Sequence, residues 1–288
     1  VGAKYSVVIT SCTAGLHLAS IVSNMKKGKK LLTSPITFVS TANSSLFCGA
    51  ETIFADIDNS TINISIGSIK KVILKNKVHA IAPVHFGGLP CDVKKIKEIA
   101  NKVGAIIYED AAHAFGASYP DGSKVGSCKY SDMTIFSFHA VKSIVTGEGG
   151  VITTNNKKTY EKLMRLRNHG LEKNSENFQL KKNSFSNGLN NPWYYEMQEL
   201  GYNYRITDIQ CALGLSQLKK IDKLKLFKLG FSWGGYESLI LPVFPKSERK
   251  IFTNGPIKIQ IIETPENIPK RINPNNTFGP YSCILYTN

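Results

Sequence analysis

Two side chains carry the chemistry that can be read from this chain. Lys142 lies between an apolar, aromatic run (Phe136, Ser137, Phe138) and a glycine-rich turn (Gly147, Gly149, Gly150). Asp110 follows another apolar run, from Ala105 to Tyr108, with Glu109 between. A lysine amine forms a Schiff base with an aldehyde cofactor. A carboxylate at a strand end can hold a protonated pyridine nitrogen, so that the ring accepts electrons from a substrate carbanion. The pair fits pyridoxal phosphate (PLP) chemistry. Taken singly, each has a plainer reading: Lys142 as one surface lysine among many, Asp110 as a helix cap.

Other segments supply what such a cofactor needs. Ser11, Cys12, Thr13, Ala14 and Gly15 join a strand to a helix, whose first N–H groups bind phosphate well, with the Thr13 hydroxyl beside them. An ordinary threonine cap has the same sequence. Ser137, five residues before Lys142, is a second phosphate donor. Phe38 opens a helix after Pro35 and can stack on a ring or fill a core. His113 can hydrogen-bond or stack at the ring, although a lone histidine is commonly structural. Asn203 and Arg205 suit anion contacts; a capping loop with Thr207 at the helix start also accounts for them.

The elements that must position these residues alternate. Strands are read at 5–10, 30–33, 52–56, 79–84, 105–109, 133–137 and 150–154. Helices are read at 13–25, 37–48, 92–102, 157–168 and 207–218. This is an α/β fold, a three-layer sandwich with a mostly parallel sheet. Ligands of such sheets bind at the carboxyl ends of strands, where Asp110, Ser137 and the Lys142 loop fall. Residues 171–192 are polar and read as a flexible loop. The sequence divides into a large domain, 1–225, and a partial or atypical C-terminal domain, 226–288.

Composition narrows the class. The 288 residues are 42% hydrophobic, enough for a sizeable core, and carry a net charge of +15. The basic balance suits anionic ligands or solvated lysine faces. Short clusters such as Lys26-Lys27 lack interleaved aromatics, so no nucleic acid is expected. The six cysteines, Cys12, Cys48, Cys91, Cys128, Cys211 and Cys283, show no metal-ligand spacing, and a reduced cytoplasmic setting with no metal is expected. No apolar run suggests a membrane span. The chain opens at Val1 directly into a strand, and further residues upstream are expected.

These segments, in this order, resemble the DegT/DnrJ/EryC1/StrS family of PLP-dependent nucleotide-sugar aminotransferases. The likeness covers residues 1 to about 225. It rests on Thr13 to Leu18, Thr37 to Asn43, Glu109 to His113, the Lys142 block and Gly201 to Leu218. The resemblance implies the large domain of the fold-type-I PLP transferases. It implies that Lys142 bonds the cofactor and shuttles the proton, that Asp110 holds the ring nitrogen, that Phe38 stacks on the ring and that His113 sits beside it. Thr13, Ala14 and Ser137 would bind the phosphate. Asn203 would reach that phosphate across a homodimer, and Ala14, Asn203 and Arg205 would touch substrate. Within the family, 136–150 and 192–200 resemble members acting in the pseudaminic acid pathway. That likeness implies amine transfer from glutamate to C4 of a UDP-linked 4-keto-6-deoxy-N-acetyl hexose. Residues 226–240 instead resemble the small domain of cystathionine β-lyase, so a sulfur amino acid lyase stands as the alternative. The ends read as a fusion or an incomplete gene product, which leaves a non-catalytic relative as a third reading.

Overall fold

The structure, a computed structural model, describes residues 1–219. The expected C-terminal domain, 226–288, and its lyase-like stretch lie outside the described residues.

Seven strands form one sheet: β1 (Tyr5–Ile9), β2 (Lys30–Thr33), β3 (Glu51–Phe54), β4 (Ala80–Ala82), β5 (Ile106–Asp110), β6 (Met133–Ser137) and β7 (Gly150–Thr154). Their order across the sheet is β1-β7-β6-β5-β4-β2-β3. The neighbours from β3 to β6 pair in parallel, and β7 runs antiparallel to both β6 and β1. The central strands read as unbroken apolar runs because both their faces are covered. Every residue of β6 and β7 is buried.

Helices make the outer layers. One face carries α1 (Cys12–Val22) and α5 (Lys157–Leu166), whose Leu16, Leu18 and Leu163 pack with Tyr108, Ile135 and Ile152. The helix α2 (Val39–Leu46) lies against α1 through a polar face: Ser20 and Ser44 both bond the buried Tyr108 hydroxyl, at 2.9 and 3.3 Å. The other face carries α3 (Ile66–Lys75) and α4 (Val93–Val103), whose Ile69, Ile96 and Ala100 pack with Ile81, Ile107 and Phe136. The sandwich thus has the three layers and the mostly parallel sheet read from the sequence. Gly15 lets α1 press onto this sheet: a Cβ there would run into Ile9 and stand 2.8 Å from Ile135 Cγ2.

Two regions differ from the sequence reading. The helix α3 has no counterpart in it, although Ile66, Ile69, Val72 and Ile73 repeat at helical spacing behind the Ser65 cap. The supposed flexible loop, 171–192, holds short antiparallel pairs instead. In one, β8 (Leu171–Glu172) pairs with β11 (Glu196–Met197); in the other, β9 (Phe185–Ser186) pairs with β10 (Leu189–Asn190). Carboxylates do here what apolar side chains do elsewhere. Glu196 accepts the Gln179 and Leu180 N–H groups, each at 2.8 Å. Glu172 accepts those of Lys173 and Asn174, at 3.0 and 2.8 Å. A last helix, α6 (Asp208–Leu218), starts from a capping box of Thr207 and Gln210.

Candidate active site

A cavity of about 280 Å³ opens at the carboxyl ends of β1, β5 and β6. Its lining brings together Thr13, Phe38, Asp110, His113, Ser137 and Lys142, six of the residues picked out from sequence.

Lys142 stands in a loop that β6 and β7 close like a hairpin. Phe138 N–H donates to Gly149 O at 2.8 Å, and Thr146 N–H to Phe138 O at 2.9 Å. Within the loop, Lys142 N–H donates to His139 O at 2.9 Å. The helix α6 braces it from outside: Val145 N–H donates to Gln217 Oε1 at 2.8 Å, and Gln210 Nε2 to Glu148 O at 2.9 Å. Burial pushes the Lys142 amine below the ordinary lysine range, while Asp110 pulls the other way. An amine so placed is more readily neutral, as a nucleophile must be.

Asp110 ends β5 and is 4% exposed. Thr41 Oγ1 donates to its Oδ2 at 2.6 Å and Ala112 N–H to its Oδ1 at 3.2 Å. Since the Thr41 hydroxyl donates to the carboxylate, its bond with Thr37 at 2.7 Å must take the Thr37 proton. Burial raises the Asp110 carboxyl above its usual range; the bonds from Thr41 and Ala112, with Lys142 nearby, offset part of the rise. A cationic partner in the cavity would meet an acid poised to pair with it.

The adjacent Glu109 points to the opposite side of the sheet and is fully buried. It accepts from His85 Nε2 at 2.7 Å, from Thr134 Oγ1 at 2.8 Å, and from the Tyr119 and Ser131 hydroxyls. Burial alone would raise its carboxyl, but the His85, Ser131 and Tyr119 bonds outweigh it and hold the group low. Cys91 N–H donates to His85 Nδ1 at 3.0 Å, so the ring keeps its proton on Nε2. His85 is thereby fixed at both nitrogens beside Asp110.

At the third wall, Ser11 Oγ caps α1 by accepting Ala14 N–H at 3.1 Å. The Cys12 and Thr13 amides lie ahead of the capped one, at the positive end of the helix. Gly150 keeps this turn close to the sheet, because a Cβ there would stand 2.7 Å from Phe136 O and 3.0 Å from Cys12 N. Ser137 Oγ accepts His139 N–H at 3.3 Å. Phe38 is 42% exposed at the mouth. His113 is approached from below by the loop at Gly88, whose φ of +85° and missing Cβ admit the His113 carbonyl.

Three further residues picked out from sequence do not line the cavity of this chain. Ala14 is buried in α1, with its N–H taken by the Ser11 cap. Asn203 is exposed and bridges to Asn168, and Arg205 Nη1 donates to Asn168 Oδ1 at 2.6 Å. Neither lines the cavity. Conversely, Thr37, Thr41, His85, His139 and Glu148 belong to the cavity or its wall without having been picked out. Proximity of His139 and Glu148 to Lys142 in sequence was the available signal for two of them; Thr41 sits on the helix that Phe38 opens.

The donor set fits PLP: an amine and a buried carboxylate share one cavity, and helix-end amides stand beside a serine at its edge. Residues 1–228 match the family model described as the DegT/DnrJ/EryC1/StrS aminotransferase family. The chain belongs to that family. It is 41% identical over 224 residues to a UDP-4-amino-4,6-dideoxy-N-acetyl-beta-L-altrosamine transaminase of Campylobacter jejuni, covering 77% of this chain and 54% of that one. Among solved structures it is similar to Helicobacter pylori PseC, an aminotransferase of pseudoaminic acid biosynthesis, with a TM-score of 0.65, 32% identity and coverage of 77% and 54%. It is also similar to the PLP form of a putative sugar aminotransferase, Spr1654 of Streptococcus pneumoniae, with a TM-score of 0.65, 25% identity and coverage of 77% and 56%. PLP is the cofactor of this family. The chain spans about half to two thirds of the length of the curated relatives it matches.

Proposed function

We propose that the chain is, or is part of, a PLP-dependent aminotransferase that moves an amine from glutamate to C4 of a UDP-linked 4-keto-6-deoxy-N-acetyl hexose. The supporting observation is the convergence of Lys142 and Asp110 on one cavity at the ends of adjacent parallel strands. The sugar and pathway rest on the names of relatives near 40% identity. When bound, PLP supplies an aldehyde and an electron-accepting ring.

The chain's own residues do the rest. Lys142 Nζ, kept more readily neutral by burial, would hold the aldehyde group and carry a proton to and from the donor's α-carbon. Asp110, steadied by Thr41 and Ala112, holds the ring nitrogen protonated. The Thr13 hydroxyl, the α1 amides and Ser137 take the phosphate. Phe38 and His113 confine the ring and keep water from it. Asn203 of the partner subunit reaches the phosphate in a homodimer, and Arg205 contacts substrate there. Cytoplasmic work suits thiols that form no disulfide among the described residues.

The protein is titrated with PLP, reduced with borohydride and digested, and the pyridoxyl mass is located by mass spectrometry. It is expected on Lys142, and Lys142→Ala is expected to lose the absorbance of the lysine-bound cofactor. The label on any other lysine, or an unchanged spectrum in the variant, refutes the assignment. Glutamate-dependent amination of the keto sugar, assayed beside cystathionine cleavage, then separates the transaminase from a lyase.

A further inference from the structure

The cavity mouth holds an imidazole and a carboxylate that this chemistry leaves unused. His139 Nε2 stands 3.6 Å from Glu148 Oε1, and both residues line the cavity. Their side chains are 34% and 58% exposed. The backbone around them is firmly held. The bond from Lys142 N–H to His139 O makes these two residues the ends of one turn, with Cα atoms less than about 7 Å apart. The Glu148 carbonyl accepts from Thr146 Oγ1 at 2.6 Å and from Gln210 Nε2. The contact itself is loose, since a charge-assisted N–H···O bond spans about 2.7–2.9 Å. A partly exposed pair contributes little, so a better-placed anion can displace one partner.

The chemistry of the reaction says which anion. An amino acid must bring its amine to the carbon that Lys142 bonds. Its carboxylate hangs on the carbon next to that amine, so it arrives within one turn of Lys142. The diphosphate of a nucleotide sugar hangs from C1, across the sugar ring from C4, and arrives farther out. A carboxylate entering a partly dry cavity needs a cation or strong donors. His85 already has both ring nitrogens engaged, and Lys142 is committed to the cofactor. His139 is one turn away, with an exchangeable partner.

We propose that His139 docks the α-carboxylate of the amino donor, and that Glu148 is the counter-anion this carboxylate displaces. The assignment rests on the aminotransferase reading above.

The test uses the full chain loaded with PLP and two probes read by titration calorimetry. Glutarate, which has no amine, stands for the donor's carboxylate; UDP stands for the diphosphate. His139→Gln is expected to weaken glutarate about fivefold while UDP changes by less than about twofold. His139→Arg, which places an N–H donor and a fixed cation there, restores glutarate binding. Glu148→Gln, which removes the competing anion, tightens it. Glutarate binding indifferent to His139→Gln overturns the proposal, as does a loss confined to UDP or a glutarate loss in Glu148→Gln. Absorbance of the lysine-bound cofactor distinguishes the two levels. If it is normal in His139→Gln and glutarate binding is unchanged, the subsite alone fails; if wild-type protein lacks it, the aminotransferase reading fails and takes the subsite with it.

Discussion

Replacing Thr41 by valine tests whether Asp110 is a strained acid kept ionised by its neighbours. The Thr41 hydroxyl donates to Asp110 Oδ2 at 2.6 Å in a fully buried setting. Such a bond to an ionised carboxylate contributes about 1.5–3 kcal/mol, against about 1 kcal/mol to a neutral one. The sign with pH follows from the raised carboxyl of Asp110, whose first cause is burial. An acid that binds its proton more tightly when folded costs no stability below the ordinary aspartate range. The cost grows as pH rises through the folded value. Valine removes one of the donors that limit this cost, so its deficit must be small in acid and larger at pH 8. For a domain of this size 1 kcal/mol moves Tm by about 2–4 °C. Apoprotein Thr41→Val is therefore expected to melt about 3–12 °C below wild type at pH 8, with a narrower gap at pH 4.5. Thr41→Ser, which keeps the donor, should close most of the gap. Circular dichroism melts at the two pH values suffice. A gap equal at both, or wider in acid, refutes the role given to the hydroxyl.

Other expectations are as direct. Gly150→Ala places a Cβ 2.7 Å from Phe136 O and 3.0 Å from Cys12 N; it should cost about 1–3 kcal/mol in a melt and weaken PLP in a spectral titration. Gly67→Ala, on α3, meets only Ser65 Oγ at 3.7 Å and should stabilise by about 0.5–1 kcal/mol in the same melt. Burial would raise the Glu196 carboxyl, but the Gln179 and Leu180 amides, with Gln198 and Tyr194, hold it at about 2. Its support of the 171–198 segment is thus full above the ordinary glutamate range and fades as pH falls toward 2. Glu196→Gln should speed limited proteolysis within that segment at neutral pH.

The comparison of sequence with structure divides along physical lines. Strands β2, β6 and β7 were legible to the residue because buried β strands are continuous apolar runs with polar or glycine ends. Asp110 and Lys142 were legible because strand ends fix where loops and ligands go. The helix α3 carried a helical repeat, but its lysines, Lys70, Lys71 and Lys75, dilute it. Thr41 and His85 were opaque for another reason. A hydroxyl or imidazole inside a core is identified by its partner, and partners such as Asp110 and Glu109 lie 69 and 24 positions away. The 171–198 segment failed likewise: its core is built from carboxylates that collect amides, which composition reads as solvent-loving.

The reversed direction of β7 has a practical consequence. Because β6 and β7 are antiparallel neighbours, the stretch between Ser137 and Gly150 leaves and re-enters the sheet at the same strand ends. It forms a self-contained cassette, with its own latch at Phe138 and Gly149 and an outer brace of two glutamines. A graft of this cassette onto a related scaffold would need only matching strand ends and a helix presenting those glutamines. The Lys142 amine and its turn partner would then move as one unit.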